Sequence, residues 1–132
     1  MKFSTRTEYG LRAILRVAHG GKKPYSLAKI ASLEGLSLGY LEKLFAKLKK
    51  AGLVKSTKGT KGGYQLSRSP TEISLYEIIE VLEGSLAPYR CVDFRGLKMD
   101  CQRKCATQKV WQVLYKQIVK TLKNISLKQL MK

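Results

Sequence analysis

The chain has 132 residues, about the length of one typical domain, and can bury a single core. Its 26 Lys and Arg outnumber nine Asp and Glu, and the net charge of +17 favours a polyanionic partner such as nucleic acid or an acidic membrane surface. No stretch approaches the roughly 20 apolar residues that span a bilayer, and the N-terminus lacks the apolar centre of a signal peptide. We therefore expect a cytoplasmic protein without a transmembrane segment.

Helices are predicted first along the chain. Thr5 and Glu8 have the spacing of a capping box at the start of the first helix. Its apolar face comprises Leu11, Ile14, Leu15 and Ala18. Ser26 caps a short second helix, and a turn around Gly35 leads into the third.

The third helix has two different faces. Its apolar stripe consists of Leu41, Leu44, Phe45 and Leu48. At 3.6 residues per turn, the opposite face is basic and consists of Gly39, Tyr40, Lys43, Lys47 and Lys50. Such a face suits the major groove of DNA, where Lys contacts phosphates or guanine edges and a glycine permits close backbone approach. The alternative is an ordinary solvated lysine face.

Residues 53–57 and 62–67 alternate apolar and polar side chains and are joined by KGTKG. This pattern predicts a hairpin whose cationic tip carries Lys58 and Lys61, and which follows the DNA backbone or enters a narrow minor groove. Three helices and then a basic hairpin form a winged helix-turn-helix. Two roles stay open: Glu42 either accepts a hydrogen bond from cytosine or pairs with a neighbouring lysine, and Tyr64 is either a contact or wing core.

All three cysteines lie in the second half, after a helix that begins with a capping box at residues 74–77 and ends near Gly84. They are Cys91, Cys101 and Cys105. In a reducing cytoplasm an odd number of clustered thiols argues against a structural disulfide set, so metal binding or redox chemistry is the leading explanation.

A long helix follows, in which apolar residues recur with a 3.5-residue period. They are Trp111, Tyr115, Ile118, Leu122 and Ile125. Such a seam predicts a homodimer interface, so that two copies bind a pseudo-palindromic DNA site. The alternative is a seam that packs only within its own chain.

The predicted fold is mainly α: a winged helix-turn-helix domain with a two-stranded wing in residues 1–70, then a cysteine-bearing loop (88–105) and dimerisation helices in residues 71–132. An enzyme is not supported. The sequence has no Ser-His-Asp or Cys-His set and no phosphate-binding glycine loop, and its C-x3-C pair is not the C-x-x-C of thiol oxidoreductases.

Three stretches, STRTEYGLRA, SLGYLEKLFAKLKKAGLVKSTKGTKGGYQLS and ISLYEIIEVLEG, together with the clustered cysteines, resemble the IscR-like, or Rrf-two, family of bacterial winged-helix transcription regulators. The resemblance covers nearly the whole chain. It implies a dimer with crossing C-terminal helices and an iron-sulfur cluster, of two or four irons, held by Cys91, Cys101 and Cys105. Thiolates are the usual cluster ligands, and Arg90, Arg103 and Lys104 would offset the charge of such a site.

The chain departs from this family in two respects. The cysteine spacing, C-x9-C-x3-C, is less even than in the best-known members, and Gln108 stands where the cluster-assembly regulator has a histidine. The resemblance makes Glu8 a candidate fourth ligand, because some relatives supply a carboxylate from the partner's first helix; the alternative is that Glu8 only caps its helix. His19, the one histidine, suits the end of the first helix better than a metal.

The function we predict is a DNA-binding transcription regulator whose operator affinity changes with its cluster. Two alternatives remain: a cluster-free thiol-disulfide sensor, and a constitutive nucleic-acid-binding protein governed by salt alone.

Overall fold

The computed structural model describes residues 2–59, 62–92 and 106–131. Its helices are α1 (Thr5–His19), α2 (Leu27–Glu34), α3 (Leu38–Lys50), α4 (Leu75–Glu83), α5 (Ala106–Lys123) and α6 (Leu127–Leu130), and a 3-10 turn covers Arg90–Val92. Strands β1 (Val54–Thr57) and β2 (Gly63–Leu66) pair antiparallel between α3 and α4 and form the wing. This order confirms the predicted fold class.

Serine residues begin several helices, as the sequence predicted. The Ser26 hydroxyl accepts a hydrogen bond from the Lys29 N–H at the start of α2. At α4, the Ser74 N–H donates to Glu77 at 3.0 Å and the Glu77 N–H donates to the Ser74 hydroxyl at 3.3 Å. This capping box satisfies two of the N–H groups that a helix start leaves without a partner.

The start of α1 differs from its prediction. Ser4, not Thr5, is the N-cap residue, and the proposed Thr5–Glu8 capping box is wrong. The carboxylate of Glu83, at the end of α4, accepts hydrogen bonds from the Ser4 N–H at 3.0 Å, from the Ser4 hydroxyl at 2.9 Å and from the Thr7 hydroxyl. A carboxylate from a distant helix therefore satisfies the start of α1, which a local pattern could not reveal.

The helix-turn-helix and the wing form one unit. Gly35 ends α2 in the left-handed conformation with φ of +67°, which glycine adopts at little cost. In the wing, Val54 pairs with Leu66, which confirms the predicted hairpin. Tyr25 and Tyr64 exchange two backbone hydrogen bonds of 2.9 Å, so the wing is joined to the segment just before α2.

A continuous core lies around α4, which packs against α1, α3 and α5. The contact with α1 is very close, because a Cβ atom at Gly10 would lie 2.5 Å from Cδ1 of Leu82. Core residues come from both predicted halves of the chain, among them Phe45 and Ile78. The predicted division near residue 70 stays a prediction.

The start of α4 is tied to the junction of α5 and α6. The Leu75 N–H donates to the Ile125 carbonyl at 2.9 Å, and the Leu127 N–H donates to the Ile73 carbonyl at 2.8 Å. These bonds hold α5 along α4 at one end, while the cysteine segment connects the two helices at the other. Within the described ranges, no helix is long and apolar enough to cross a membrane.

Candidate DNA-binding surface and cysteine site

The outer face of α3 is cationic, and its residues Lys43, Lys47 and Lys50 are exposed. Ser37 starts the helix by accepting a hydrogen bond from the Tyr40 N–H at 3.1 Å. The four residues Leu41, Leu44, Phe45 and Leu48 are buried, as predicted. Because that stripe anchors the helix, Gly39, Glu42, Lys43 and Lys47 all lie exposed on the remaining surface.

Tyr40 belongs to this surface only in part. It is half-buried, and its ring meets the ring of Tyr9 edge to face at 6.3 Å between centroids. The tyrosine therefore also packs α3 against α1, a contact that the helical period alone did not reveal.

Glu42 is exposed and takes part in none of the ion pairs found among the described residues. The alternative in which it pairs with a lysine of its own helix is therefore not found. Its carboxylate is free to meet a hydrogen-bond donor from outside the chain.

One of the two predicted cations of the wing lies within the described residues. Lys58 is exposed directly after β1, while Lys61 lies outside the described residues. Tyr64 is half-buried, with its ring 5.0 Å from that of Phe45, so its wing-core interpretation is confirmed. The Lys49 ammonium donates to the Ser56 hydroxyl at 2.8 Å and ties the end of α3 to β1.

Sequence reasoning missed two exposed residues of the helix-turn-helix. Leu38, the first residue of α3, is 41 % exposed and does not pack on the core. Lys29 in α2 stands over the ring of Tyr25, 5.3 Å from its centroid. The signal for Leu38 was its place directly after the N-cap Ser37, where the helices of such motifs contact bases.

Of the three predicted cluster ligands, Cys91 lies within the described residues. Cys91 lies in the 3-10 turn, half-buried against the core, and forms no disulfide. The Gln108 side-chain amide donates to the Cys91 carbonyl at 3.4 Å, so this residue of α5 lies beside the first cysteine. Cys101, Cys105, Arg103 and Lys104 lie outside the described residues.

The two other candidate ligands lie elsewhere. Glu8 accepts a hydrogen bond from Nε of Arg12 at 2.8 Å, and its side chain is 57 % exposed. His19, the last residue of α1, is exposed, with Nδ1 2.8 Å from the Leu15 carbonyl oxygen. No group of three metal-ligating side chains converges within residues 2–59, 62–92 and 106–131. The free Cys91 thiol nevertheless suits a cluster, because thiolates are the usual ligands of its irons.

Two faces of helix α5 differ in what covers them. Its seam residues Trp111, Tyr115 and Leu122, together with Ile125 just after the helix, pack against the core of their own chain. Ile118 is half-buried and stands outside that core. Ile118 belongs to an apolar strip beside the seam, which also contains Val110 and Leu114 at four-residue spacing. Val110 is 58 % and Leu114 is 38 % exposed.

Comparison with known proteins bears on this arrangement. The model of the Rrf2 family, described as an iron-dependent transcriptional regulator, matches residues 3–132. The chain belongs to the Rrf2 family. The transcriptional regulator IscR of Vibrio vulnificus is 41 % identical over 99 % of this chain and 77 % of its own length.

Solved structures of Rrf2 regulators have the same fold. IscR of T. potens superposes with a TM-score of 0.77, at 42 % identity, over 98 % of this chain and 85 % of its own. CymR, the global cysteine regulator of B. subtilis, superposes with a TM-score of 0.81, at 34 % identity, over 99 % and 96 %. This Rrf2 chain is therefore a transcriptional regulator with a winged helix-turn-helix fold.

Proposed function

We propose that this Rrf2 regulator is a homodimer that binds a pseudo-palindromic operator, and that an iron-sulfur cluster held by Cys91, Cys101 and Cys105 modulates its affinity. The observation that carries the proposal is the position of α4. It supports the exposed face of α3, packs on α5, and ends at the segment that carries the cysteines.

Double-stranded DNA suits the exposed groups of α3 and the wing. Lys43, Lys47 and Lys58 supply cations for phosphates or guanine edges, Lys61 is assigned to the same tip, and the unpaired Glu42 accepts from cytosine. Tyr40 adds its hydroxyl at the edge, and Gly39 leaves room for the DNA backbone. Leu38 brings an apolar side chain suited to the methyl group of a thymine.

The cluster, of two or four irons, would supply a redox-sensitive link among the three thiolates when bound. Among the described residues, Gln108 lies beside this site, because its side-chain amide contacts the Cys91 carbonyl. Glu8 is a second candidate for the remaining position. Its carboxylate would have to leave Arg12 of its own chain to act in this way.

Glu83 provides a path from the cysteine segment to the DNA-binding helices. It is the last residue of α4, and its carboxylate binds Ser4 and Thr7 at the start of α1. A rearrangement of the segment that follows Gly84 therefore moves the end of α4 and, through these bonds, α1. Because α1 packs on α3, such a shift changes how the recognition helix meets DNA.

The homodimer would use the uncovered strip of α5. Val110, Leu114 and Ile118 extend the predicted seam sideways, since Trp111, Tyr115, Leu122 and Ile125 already pack within the chain. An interface built on the strip still includes Ile118, and it covers apolar surface that otherwise faces water. We assign the protein to the cytoplasm, where its DNA lies.

Anaerobic purification tests the cofactor. We expect a brown protein with charge-transfer absorption and with iron and sulfide in stoichiometric amounts, and the loss of all three in a variant with Cys91, Cys101 and Cys105 changed to Ser. A colourless wild-type protein without iron would remove the cluster. The matched control is Ser85→Cys, which adds a thiol nearby and leaves the three cysteines in place.

A thiol-disulfide sensor is the second candidate. The free, half-buried Cys91 and the name of the CymR relative, a cysteine regulator, favour it. The same purification separates the two, because the sensor is colourless and changes its thiol count on oxidation. A constitutive DNA-binding protein would respond to neither treatment.

A further inference from the structure

A groove between α4 and α5 combines an apolar floor with a rim of lysines. Its volume is about 510 Å3, and its floor is formed by Val119 and the rings of Tyr76 and Tyr115. Lys116, Lys120 and Lys123 stand at its rim. Pockets of several hundred cubic ångströms with an apolar floor and a few polar groups are the usual form of small-molecule sites.

Every charged group among the described residues that line the groove is positive. Lys116 and Lys120 are exposed and take part in no ion pair of the described chain, while Lys123 lies over the Tyr76 ring, 4.9 Å from its centroid. Helix α5 itself contains four lysines and no acid. The rim therefore attracts an anion.

Tyr76 stays neutral in this setting. Burial and a hydrogen bond to Glu80 raise the pKa of its hydroxyl to about 12. The Glu80 carboxylate is thus engaged by the tyrosine hydroxyl, and the Tyr76 ring, over which Lys123 lies, contributes apolar surface to the groove.

The groove also stays open in the dimer proposed above. Lys116, Lys120 and Lys123 lie on one flank of α5, and Val110, Leu114 and Ile118 lie on the other, with the packed residues Trp111, Tyr115 and Leu122 between them. A second copy on the apolar strip leaves the lysine flank uncovered.

We propose that this groove binds a small organic carboxylate with an apolar or aromatic body. The carboxylate meets the ammonium groups of Lys116 and Lys120, and the body lies on the apolar floor of Val119, Tyr76 and Tyr115. Because the groove joins α4 to α5, the bound molecule stabilises the contact between the helix that supports the DNA-binding face and the helix that carries the apolar strip. Nothing in this site depends on the cluster or on the DNA contacts.

The probe is 4-phenylbutyrate, titrated into the full-length protein by calorimetry, with the neutral 4-phenylbutanamide as its matched compound. We expect saturable binding of the acid and at least tenfold weaker binding of the amide, as the loss of a charge-assisted hydrogen bond predicts. Lys120→Gln removes the charge at an exposed position and keeps part of the alkyl chain. It should weaken binding of the acid about tenfold and leave binding of the amide unchanged.

Lys109→Gln is the control, since Lys109 is exposed on the same flank of α5 but lies outside the groove. The proposal would be overturned if the acid and the amide bound equally, or if Lys109→Gln weakened binding of the acid as much as Lys120→Gln does. It would also be overturned if the acid showed no saturable binding at 10 mM, roughly the weakest useful affinity. Displacement of the probe by a duplex of unrelated sequence would also overturn it, because the flank would then be a DNA contact.

Discussion

At the scale of single residues, Gly39 is the most informative position of α3. It is exposed, and a Cβ atom there would meet nothing within 4 Å. Its helix has no structural need of glycine, which lowers helix stability by roughly 0.5–1 kcal/mol relative to alanine. A glycine without a packing role is consistent with close approach of another molecule.

Gly39→Ala should therefore act in opposite directions on folding and on binding. We expect a more stable protein, by about 0.5 kcal/mol in denaturant unfolding, and operator binding about tenfold weaker by fluorescence anisotropy. A variant that gains stability and keeps full affinity would show that DNA does not approach this backbone.

Leu38 can be tested by removing single methyl groups from the operator. Replacing the contacted thymine by deoxyuridine should weaken binding about fourfold, because burial of one methyl group contributes roughly 0.8 kcal/mol to the binding free energy. In Leu38→Ala the same replacement should have no effect. If no position loses affinity in the wild-type protein, Leu38 contacts no thymine.

The Glu83 carboxylate should make the free energy of unfolding depend on pH. Burial raises the pKa of its carboxyl group, but hydrogen bonds from Thr7 and Ser4 outweigh burial and hold the pKa below its ordinary value of 4.5. Since the folded pKa is the lower one, the stabilisation is complete above pH 4.5 and is lost as the pH falls through the folded value.

Glu83→Gln should remove this stabilisation at neutral pH, at a cost of about 1–2 kcal/mol, because one amide oxygen cannot replace two charged acceptors. Its unfolding free energy should also fall less steeply in acid than that of the wild type. Chemical denaturation from pH 3 to pH 7 measures both effects, and parallel curves for the two proteins would contradict the role of Glu83.

At the scale of elements, the sequence predicted most helices and strands because their signals are local. Ser26 and the Ser74–Glu77 pair act within one turn of their own helix, and the four-residue strands follow from alternation and glycine. The start of α1 was misassigned because its acceptor, Glu83, lies 79 residues from Ser4. Local patterns carry no information about such a partner.

The prediction made from the seam of α5 was limited in a similar way. A 3.5-residue period shows that one side of a helix is covered but not which chain covers it. Trp111, Tyr115 and Leu122 meet their own core, and the neighbouring strip became visible only when their packing was known. The cysteine site was located by residue type alone, and two of its thiols lie outside the described residues.

Leu114→Glu tests the strip as a dimer interface. A carboxylate at this exposed position should leave the fold intact but convert the dimer to a monomer in sedimentation analysis, because a buried unpaired charge opposes association. Lys116→Glu, which introduces the same residue on the opposite flank, serves as the control and should remain dimeric. Dimers in both variants would exclude the strip.

At the scale of the whole molecule, the charge of +17 is unevenly distributed along the chain. Residues 1–68 carry fifteen Lys and Arg against three Glu, and they include α3 and the wing. Three lysines of α5 line the groove between α4 and α5. Helix α4 packs against both α3 and α5, and its last residue, Glu83, is bonded to the start of α1.

Operator affinity before and after loss of the cluster tests this connection most directly. Anaerobically purified protein would be titrated into DNA from upstream of its own gene at fixed salt, then again after chelation of iron in the same sample. We expect the apparent dissociation constant to change at least fivefold, a coupling free energy of about 1 kcal/mol, and the change to vanish in Cys91→Ser. Two identical curves from a protein that contained iron and then lost it would contradict the account.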